Sequence, residues 1–342
     1  MQSLLPIAEQ FVGAVIEISP LGNGLINDTY LVKTPSSSFV LQRVNRIVFP
    51  APELIMSNLA ALNRHIAQKA GTTVKLQIPA IINTADGGTL YHDQNGDVWR
   101  ALSYIADSIS MDTINTVGDA EQVGFALGHF HRLTSDINPA LLHDTLPGFH
   151  ITPRYLNHYH QLDRQIDDEY CSAFIANHQH IVNDLESPKQ QGLLTMRVIH
   201  GDPKLNNFLF DRYSKKTIGL IDLDTVKPGL VHYDIGDCVR SCCNTGFDAA
   251  ICRALLKSYL TEAGAFFTEY DYRYLYAAIR LIPFELGIRF YTDYLEGNRY
   301  FRVTDPKQNL QRAIRQFELC ANIIAQEPTI KSLIMELQSN AV

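Results

Sequence analysis

Two short segments hold most of the residues able to do chemistry: RVIHGDPKLNNFLFD at 197–211 and IGLIDLDTVKPG at 218–229. His200, Asp202 and Asn207 fit H-x-D-x-x-x-x-N, a spacing that is only suggestive by itself. Asp222 sharpens it. It ends the apolar run 218–221, so a hairpin between Asn207 and Asp222 returns a second hard-oxygen ligand to the side of Asp202. Phosphoryl transfer needs such a set: a carboxylate to orient the attacking hydroxyl and take its proton, and oxygen ligands for Mg2+ across the nucleotide phosphates. Asp202 suits the first role, and Asn207 with Asp222 the second. Lys204 can set a positive charge beside the transferring group, where charge stabilisation usually contributes most to the rate. The competing reading is a polar hairpin, since Asp and Asn favour turns, but no turn requires all of these residues together.

The elements that must position this set divide the chain in two. Up to residue 105 the pattern is short β-rich runs at 14–19, 29–34, 39–44, 89–91 and 98–105, interrupted by one helix at 52–69 whose Leu54, Ile55, Leu59, Leu62 and Ile66 recur at helical spacing. Beyond it the period is helical, at 119–135, 153–167, 171–185, 248–263, 271–295 and 307–338, with the strand-turn-strand block 197–224 as the exception. This predicts an α+β, two-lobed fold. Residues 1–105 form a β-rich lobe ending in a connecting strand, and 106–342 a helical lobe with a small β insert, with a cleft at their junction.

The chain has 342 residues, 46% hydrophobic and 19% charged, which excludes disordered and fibrous classes. Lys plus Arg is 29 against 36 Asp plus Glu, a formal charge of −7, so no nucleic-acid or membrane partner is expected. Cys171, Cys238, Cys242, Cys243, Cys252 and Cys320 contain no C-x-x-C pair and read as reduced thiols, not as a zinc site. The first residues lack a basic n-region and include Glu9 and Glu17, and no apolar run reaches the ~20 residues of a membrane span, so a cytoplasmic location is expected.

The catalytic and metal-binding segments resemble those of the protein-kinase-like superfamily, and specifically of the aminoglycoside/choline phosphotransferase family. Within it the chain is most similar to bacterial N-acetylhexosamine 1-kinases. The matching pieces run its whole length: GNGLINDTYLV, FVLQRVN with IVFP, VWRALSYI, FHITPR, HGDPKLNN, LIDLDTVKPG, YDIGD and GIRFYTDYLEGNRYF. The resemblance implies ATP and Mg2+, with Asp202 as base, Asn207 and Asp222 as metal ligands, and Lys204 as a lysine of the sugar kinases. It implies that 1–105 is a nucleotide-binding lobe with its hinge, that 106–342 carries the catalytic and metal-binding loops and the acceptor site, and that Arg289 and Tyr300 contact the sugar. On local sequence alone an Arg among Phe290, Tyr291 and Tyr294 reads as a snorkelling side chain in an aromatic core.

Other positions depart from the family pattern or stay open. Gly22-Asn23-Gly24 is shorter than a full glycine-rich loop and reads either as a nucleotide-binding loop or as a hairpin turn. Gln42 stands where protein kinases carry a phosphate-binding lysine, and Arg43 points to the other face of a regular strand. Either metal and backbone donors hold the phosphates or another cation serves. Leu25 replaces a histidine expected near the sugar. Ser103, Tyr104 and Ile105 form the inter-lobe connection, whose backbone can read an adenine edge. Asp224 is a second metal contact or a loop anchor, while Asp234 and His200 are expected to support the catalytic loop.

Two rival classes remain. LIDLDTV also fits the aspartate motif of haloacid-dehalogenase-like phosphatases, a reading that demands a doubly wound parallel sheet. A pseudo-kinase demands loss of a catalytic group, yet Asp202, Asn207 and Asp222 are present. The reading that accounts for most of the chain is a kinase acting on the anomeric hydroxyl of a free N-acetylhexosamine. Another sugar, an aminoglycoside, choline or ethanolamine is the alternative acceptor.

Overall fold

The structure is a computed structural model that describes residues 4–22, 26–69, 71, 73–163 and 167–339. After a short helix α1 (Leu5–Ala8), the strands β1 (Glu17–Pro20), β2 (Asp28–Lys33), β3 (Ser38–Val44), β4 (Ile81–Ile82), β5 (Tyr91–His92) and β6 (Val98–Ser103) form one antiparallel sheet. Its order is β1-β2-β3-β6-β4, with β5 also on β6. Strand alternation gives the sheet two faces. Phe39, Leu41, Trp99 and Ala101 pack on α1 residues Ile7 and Ala8. The opposite face carries Val40, Gln42, Arg100 and Leu102, and Gln42 stands directly across from Arg100.

That second face is covered by α2 (Pro52–Gln68). Proline at its start costs no hydrogen bond, and Ile55, Leu59, Leu62 and Ile66 bury one stripe. Asn58 lies on the same stripe and is fully paired: its Nδ2 donates to the carbonyls of His143 (2.8 Å) and Val226 (2.9 Å), and its Oδ1 accepts from the His143 N–H (2.8 Å). The helix is thereby bonded to the other half of the molecule.

The larger part begins with β7 (Ser108–Ile109) and is built on α3 (Val117–Thr134), α4 (Thr152–Gln161), α5 (Glu169–His178), α6 (Glu186–Gln190), α7 (Val231–Cys242), α8 (Ala249–Ala263), α9 (Glu269–Arg273), α10 (Leu275–Leu295), α11 (Gln308–Ala325) and α12 (Glu327–Ser339). Between α6 and α7 lie β8 (Arg197–Ile199), β9 (Phe208–Asp211), β10 (Thr217–Leu220) and β11 (Lys227–Gly229). These pair antiparallel as β10-β9-β7 and β11-β8. A small antiparallel sheet region followed by a larger helical region is the α+β arrangement read from the sequence. Helices α3 and α8 cross closely enough that a Cβ on Gly124 would stand 2.1 Å from the Leu255 carbonyl oxygen, so only glycine fits there.

Element boundaries differ from the periodic reading where period is a poor guide. The helix expected over 307–338 is two, because Pro328 lacks an N–H and its ring clashes with the preceding turn, so α11 ends and α12 starts at Glu327. The expected 271–295 helix is likewise α9 followed by α10, and 153–167 stops at Gln161. Helix α7 carries an apolar row at Val231, Ile235, Cys238, Val239 and Cys242, yet it is buried on nearly every side, with His232, Asp234, Asp237 and Arg240 also inside. No helix among the described residues is long and apolar enough to cross a membrane. All six cysteines are buried and unpaired.

Candidate active site

The site forms where β8, the β9–β10 hairpin and the N-terminal sheet converge. Leu220 pairs with Phe208 at the open end of the hairpin, and the Ile221 N–H donates to the Asn207 carbonyl (3.0 Å). This sets Asn207 beside Asp222, as the hairpin spacing predicts. The turn after β8 is held from below by Asp234, which accepts from the N–H groups of His200 (2.7 Å) and Gly201 (2.9 Å) and from His131 Nε2 (2.9 Å). His200 donates from Nε2 to the Ile221 carbonyl (3.0 Å) and accepts at Nδ1 from the Asp202 N–H (3.3 Å). It ties the two loops together and faces no reacting group. Gly201 adopts φ +87°, and a Cβ there would lie 2.5 Å from the Thr225 carbonyl oxygen. Both conformation and space therefore require glycine.

Lys204 lies between the two carboxylates, its Nζ 2.5 Å from Asp202 and 3.6 Å from Asp222. Burial raises the Asp202 carboxyl above its usual range; Asp237 and Asp222 add to this and Lys204 opposes it. Burial works against the Lys204 charge, yet the carboxylates of Asp202 and Asp222 outweigh it and raise the ammonium. A carboxylate whose proton affinity is raised is a stronger base than an exposed aspartate.

Asp222 takes a left-handed backbone conformation, φ +64° and ψ +54°, that turns the chain sharply out of β10. Asn207 donates from Nδ2 to the Asp202 carbonyl (2.7 Å), and among the described residues nothing donates to its Oδ1. The Asn207 amide oxygen and the Asp222 carboxylate are hard oxygens of the kind that suits Mg2+, which is usually held by one or two protein ligands together with substrate phosphates. No group of three or more His, Cys, Asp or Glu side chains among the described residues could hold a metal alone.

Asp224, left open by sequence between metal contact and anchor, turns away from Asp222 into the protein. It ion-pairs with Arg100 (2.5 Å) and accepts from Asn27 Nδ2 (2.8 Å). Arg43 is on the solvent side, paired with Asp28 and with Asp97 (3.0 Å). Gly22 has φ +70°, whereas Gly24 and Leu25 fall outside the described residues. In the connection, the Ser103 N–H already donates to the Ala80 carbonyl (2.8 Å) and the Ile105 carbonyl accepts from the Ser108 hydroxyl (2.7 Å). These bonds take up one backbone group each of Ser103 and Ile105, the two residues that flank Tyr104.

Arg289 projects from α10 into a cage of rings, its guanidinium carbon 4.8 Å from the Phe149 centroid, 5.2 Å from Tyr155 and 5.5 Å from Phe301. Among the described residues it has no carboxylate partner. Burial lowers its basicity, but Tyr155, Tyr300, Glu285 and Asp202 together raise it, which sets Arg289 and Asp202 in the same electrostatic neighbourhood. Phe301 is fixed over it, with Tyr300 edge-on to Phe301, because the buried Asp293 accepts from the N–H groups of Tyr300 and Phe301 (2.7 and 2.9 Å).

Sequence reasoning missed several supporting residues. His150 donates to the Gly201 carbonyl (2.7 Å) and to Glu285 (3.0 Å), and Thr152 donates to the other Glu285 oxygen (2.7 Å). Glu285 is a lone carboxylate in the apolar run LIPFELGI, and Arg100 a lone cation in VWRALSYI. A charge in an otherwise buried element was the available signal.

The sequence model of the phosphotransferase enzyme family (APH) matches residues 17–276, well over half of the chain. The chain belongs to that phosphotransferase family. Among solved structures, this phosphotransferase is similar to a microcompartment-associated aminopropanol kinase (TM-score 0.72, 16% identity, covering 96% of this chain and 98% of that one). It is also similar to an aminoglycoside phosphotransferase from Alicyclobacillus acidocaldarius (0.68, 15%, 100% and 97%) and to an amicoumacin kinase in complex with AMP-PNP and Ca2+ (0.63, 13%, 94% and 93%). At these identities the likeness concerns the fold. The phosphohydrolase reading of LIDLDTV is overturned, since Asp222 follows a strand of an antiparallel sheet where that reading requires a parallel one.

Proposed function

We propose that this phosphotransferase moves the γ-phosphoryl group of ATP to the anomeric hydroxyl of a free N-acetylhexosamine, N-acetylglucosamine or N-acetylgalactosamine. The observation that carries the reading is the unpaired, ring-caged Arg289 close to an Asp202–Lys204–Asp222 cluster. A fixed cation beside the base disfavours polycationic acceptors such as aminoglycosides and small cations such as choline, and suits a neutral sugar that becomes a phosphate ester. The rings of Tyr155, Tyr300 and Phe301 supply apolar faces of the kind sugars stack on.

In this reading Asp202 orients the hydroxyl and accepts its proton as the new P–O bond forms. Lys204 then balances the charge between Asp202 and the arriving phosphoryl group. Asn207 and Asp222 are the residues that would hold Mg2+, which when bound supplies charge neutralisation across the β- and γ-phosphates. Gly22 borders the phosphates, with Gly24 assigned to them on sequence alone, and Ser103, Tyr104 and Ile105 border the base. Arg289 and Tyr300 hold the sugar.

The test is ADP release from Mg2+-ATP against free hexoses, N-acetylhexosamines, amino alcohols, choline and aminoglycosides, with phosphorus NMR of the product. A sugar 1-phosphate from an N-acetylhexosamine is the expected result. Turnover confined to a cationic acceptor would refute the sugar while leaving the phosphotransferase assignment standing.

A further inference from the structure

The strand position that carries a lysine in protein kinases is Gln42, and the structure shows what stands beside it. Arg100 lies directly across from Gln42 on β6, on the same face of the sheet, and donates from Nε (3.0 Å) and Nη2 (2.8 Å) to Gln42 Oε1. Gln42 in turn donates to the Thr29 hydroxyl (3.0 Å). The glutamine thus acts as a bracket that aims the arginine. Nη2 reaches Asp224 at 2.5 Å, and the two side chains are only 2% and 4% exposed.

Asp224 is where four parts of the site meet. Its carboxylate accepts from Asn27, which follows the glycine segment, and Asn27 Oδ1 accepts from the Asn45 N–H at the end of β3 (3.0 Å). Its carbonyl accepts from the Thr145 hydroxyl, 2.5 Å away. The next residue, Thr225, donates from its hydroxyl to the His200 carbonyl (2.9 Å). Two residues earlier is Asp222. A charge held at Asp224 therefore fixes the Asp222 turn relative to the sheet, the glycine segment and the catalytic loop together.

We propose that Arg100 replaces the strand lysine as a positioning residue: by pairing with Asp224 it locks the Asp222 turn against the N-terminal sheet, so that nucleotide and Mg2+ binding are coupled. The guanidinium is too enclosed to be a phosphate contact. Its action is through Asp224, as residues behind a metal ligand commonly act. This rests on the Mg2+-ATP reading above. Removing one partner of a buried pair leaves an uncompensated charge, so stability and positioning must be separated.

The experiment is calorimetric binding of adenosine, of ADP without metal and of ADP with Mg2+, to the full chain. The variants are Arg100→Gln, Asp224→Asn and the double variant, each with its melting temperature. The Mg2+-dependent gain in ADP affinity should fall 10–100-fold in Arg100→Gln and in the double variant. Metal-free ADP and adenosine affinities should stay within about twofold, and the double variant should regain melting temperature without regaining the Mg2+ effect. If Arg100→Gln is too unstable to purify, Arg100→Lys, which keeps charge but loses the fork to Gln42, should show a smaller loss of the same kind.

An unchanged Mg2+ effect in Arg100→Gln overturns the proposal. If Asp224→Asn alone then loses the effect, Asp224 is itself a metal ligand. Loss of metal-free ADP affinity with adenosine unaffected also overturns it, because the guanidinium would then touch the phosphates directly. A wild-type protein with no Mg2+-dependent gain overturns both this inference and the nucleotide reading on which it rests.

Discussion

Replacing Lys204 by methionine removes a cation 2.5 Å from the Asp202 carboxylate while keeping most of the side-chain volume. At that distance two unit charges interact by about 1.7 kcal/mol in bulk water and about 7 kcal/mol at an effective dielectric of 20. The side chains of Lys204 and Asp202 are 38% and 28% exposed. Solvent screening therefore points to the lower figure, and ~1.7 kcal/mol corresponds to roughly one pH unit. Burial already raises the Asp202 carboxyl and Lys204 restrains it, so loss of Lys204 lets it rise further. The base is then deprotonated only at higher pH. The acidic limb of kcat/KM should move up by about one unit in Lys204→Met. It should remain near the wild-type position in Lys204→Arg, which keeps the charge. The assay is the initial rate of ADP release across about five pH units in constant-ionic-strength buffers. A limb that stays in place or moves down in a variant of normal melting temperature would refute both the role of Asp202 as the titrating base and its contact with Lys204.

Asp202→Asn should keep nucleotide binding and lower kcat by about 10²–10⁴-fold, checked by calorimetry beside steady-state rates; Asp222→Ala should instead abolish the Mg2+-dependent part of ADP affinity in the same titration. Arg289→Met should raise the acceptor KM by tenfold or more with ATP KM unchanged, which a substrate-saturation series reads directly. Gly201→Ala meets both a positive φ and the Thr225 carbonyl, so it should lose more than ~1 kcal/mol in denaturant unfolding. For His150, burial lowers the imidazole but Glu285 outweighs it, so the folded state holds the proton more tightly than the unfolded one. That stability is fully present below the unfolded value of about 6.5 and is lost as pH rises through the higher folded value. Melting temperature should decline across that window in wild type and run flatter in Glu285→Gln; equal slopes would show that the pair does not titrate.

The catalytic loop, the metal-type ligands and the hairpin between them were legible because they are local: H-x-D-x-x-x-x-N and LIDLD place their side chains within one turn and one strand pair. The N-terminal sheet was legible from strand alternation and β-rich composition, and α2 from its apolar spacing. Period failed where an element is two residues long, as in β4 and β7, and it understated α7, where His232, Asp234, Asp237 and Arg240 are buried beside the apolar row. The helix break at Pro328 was written in the sequence but outweighed by the continuing apolar pattern on either side.

By itself, then, the sequence determined which residues could do phosphoryl transfer and what kind of scaffold would carry them, since short-range spacing and amphipathic period are properties of the chain. Tertiary structure alone decided that Asp224 faces Arg100, that Gln42 brackets the arginine, and that Arg289 stands among rings from 149, 155 and 301. These partners lie tens to hundreds of residues apart, and a buried charge finds its counter-ion only when the packing of several elements leaves it a single place to go.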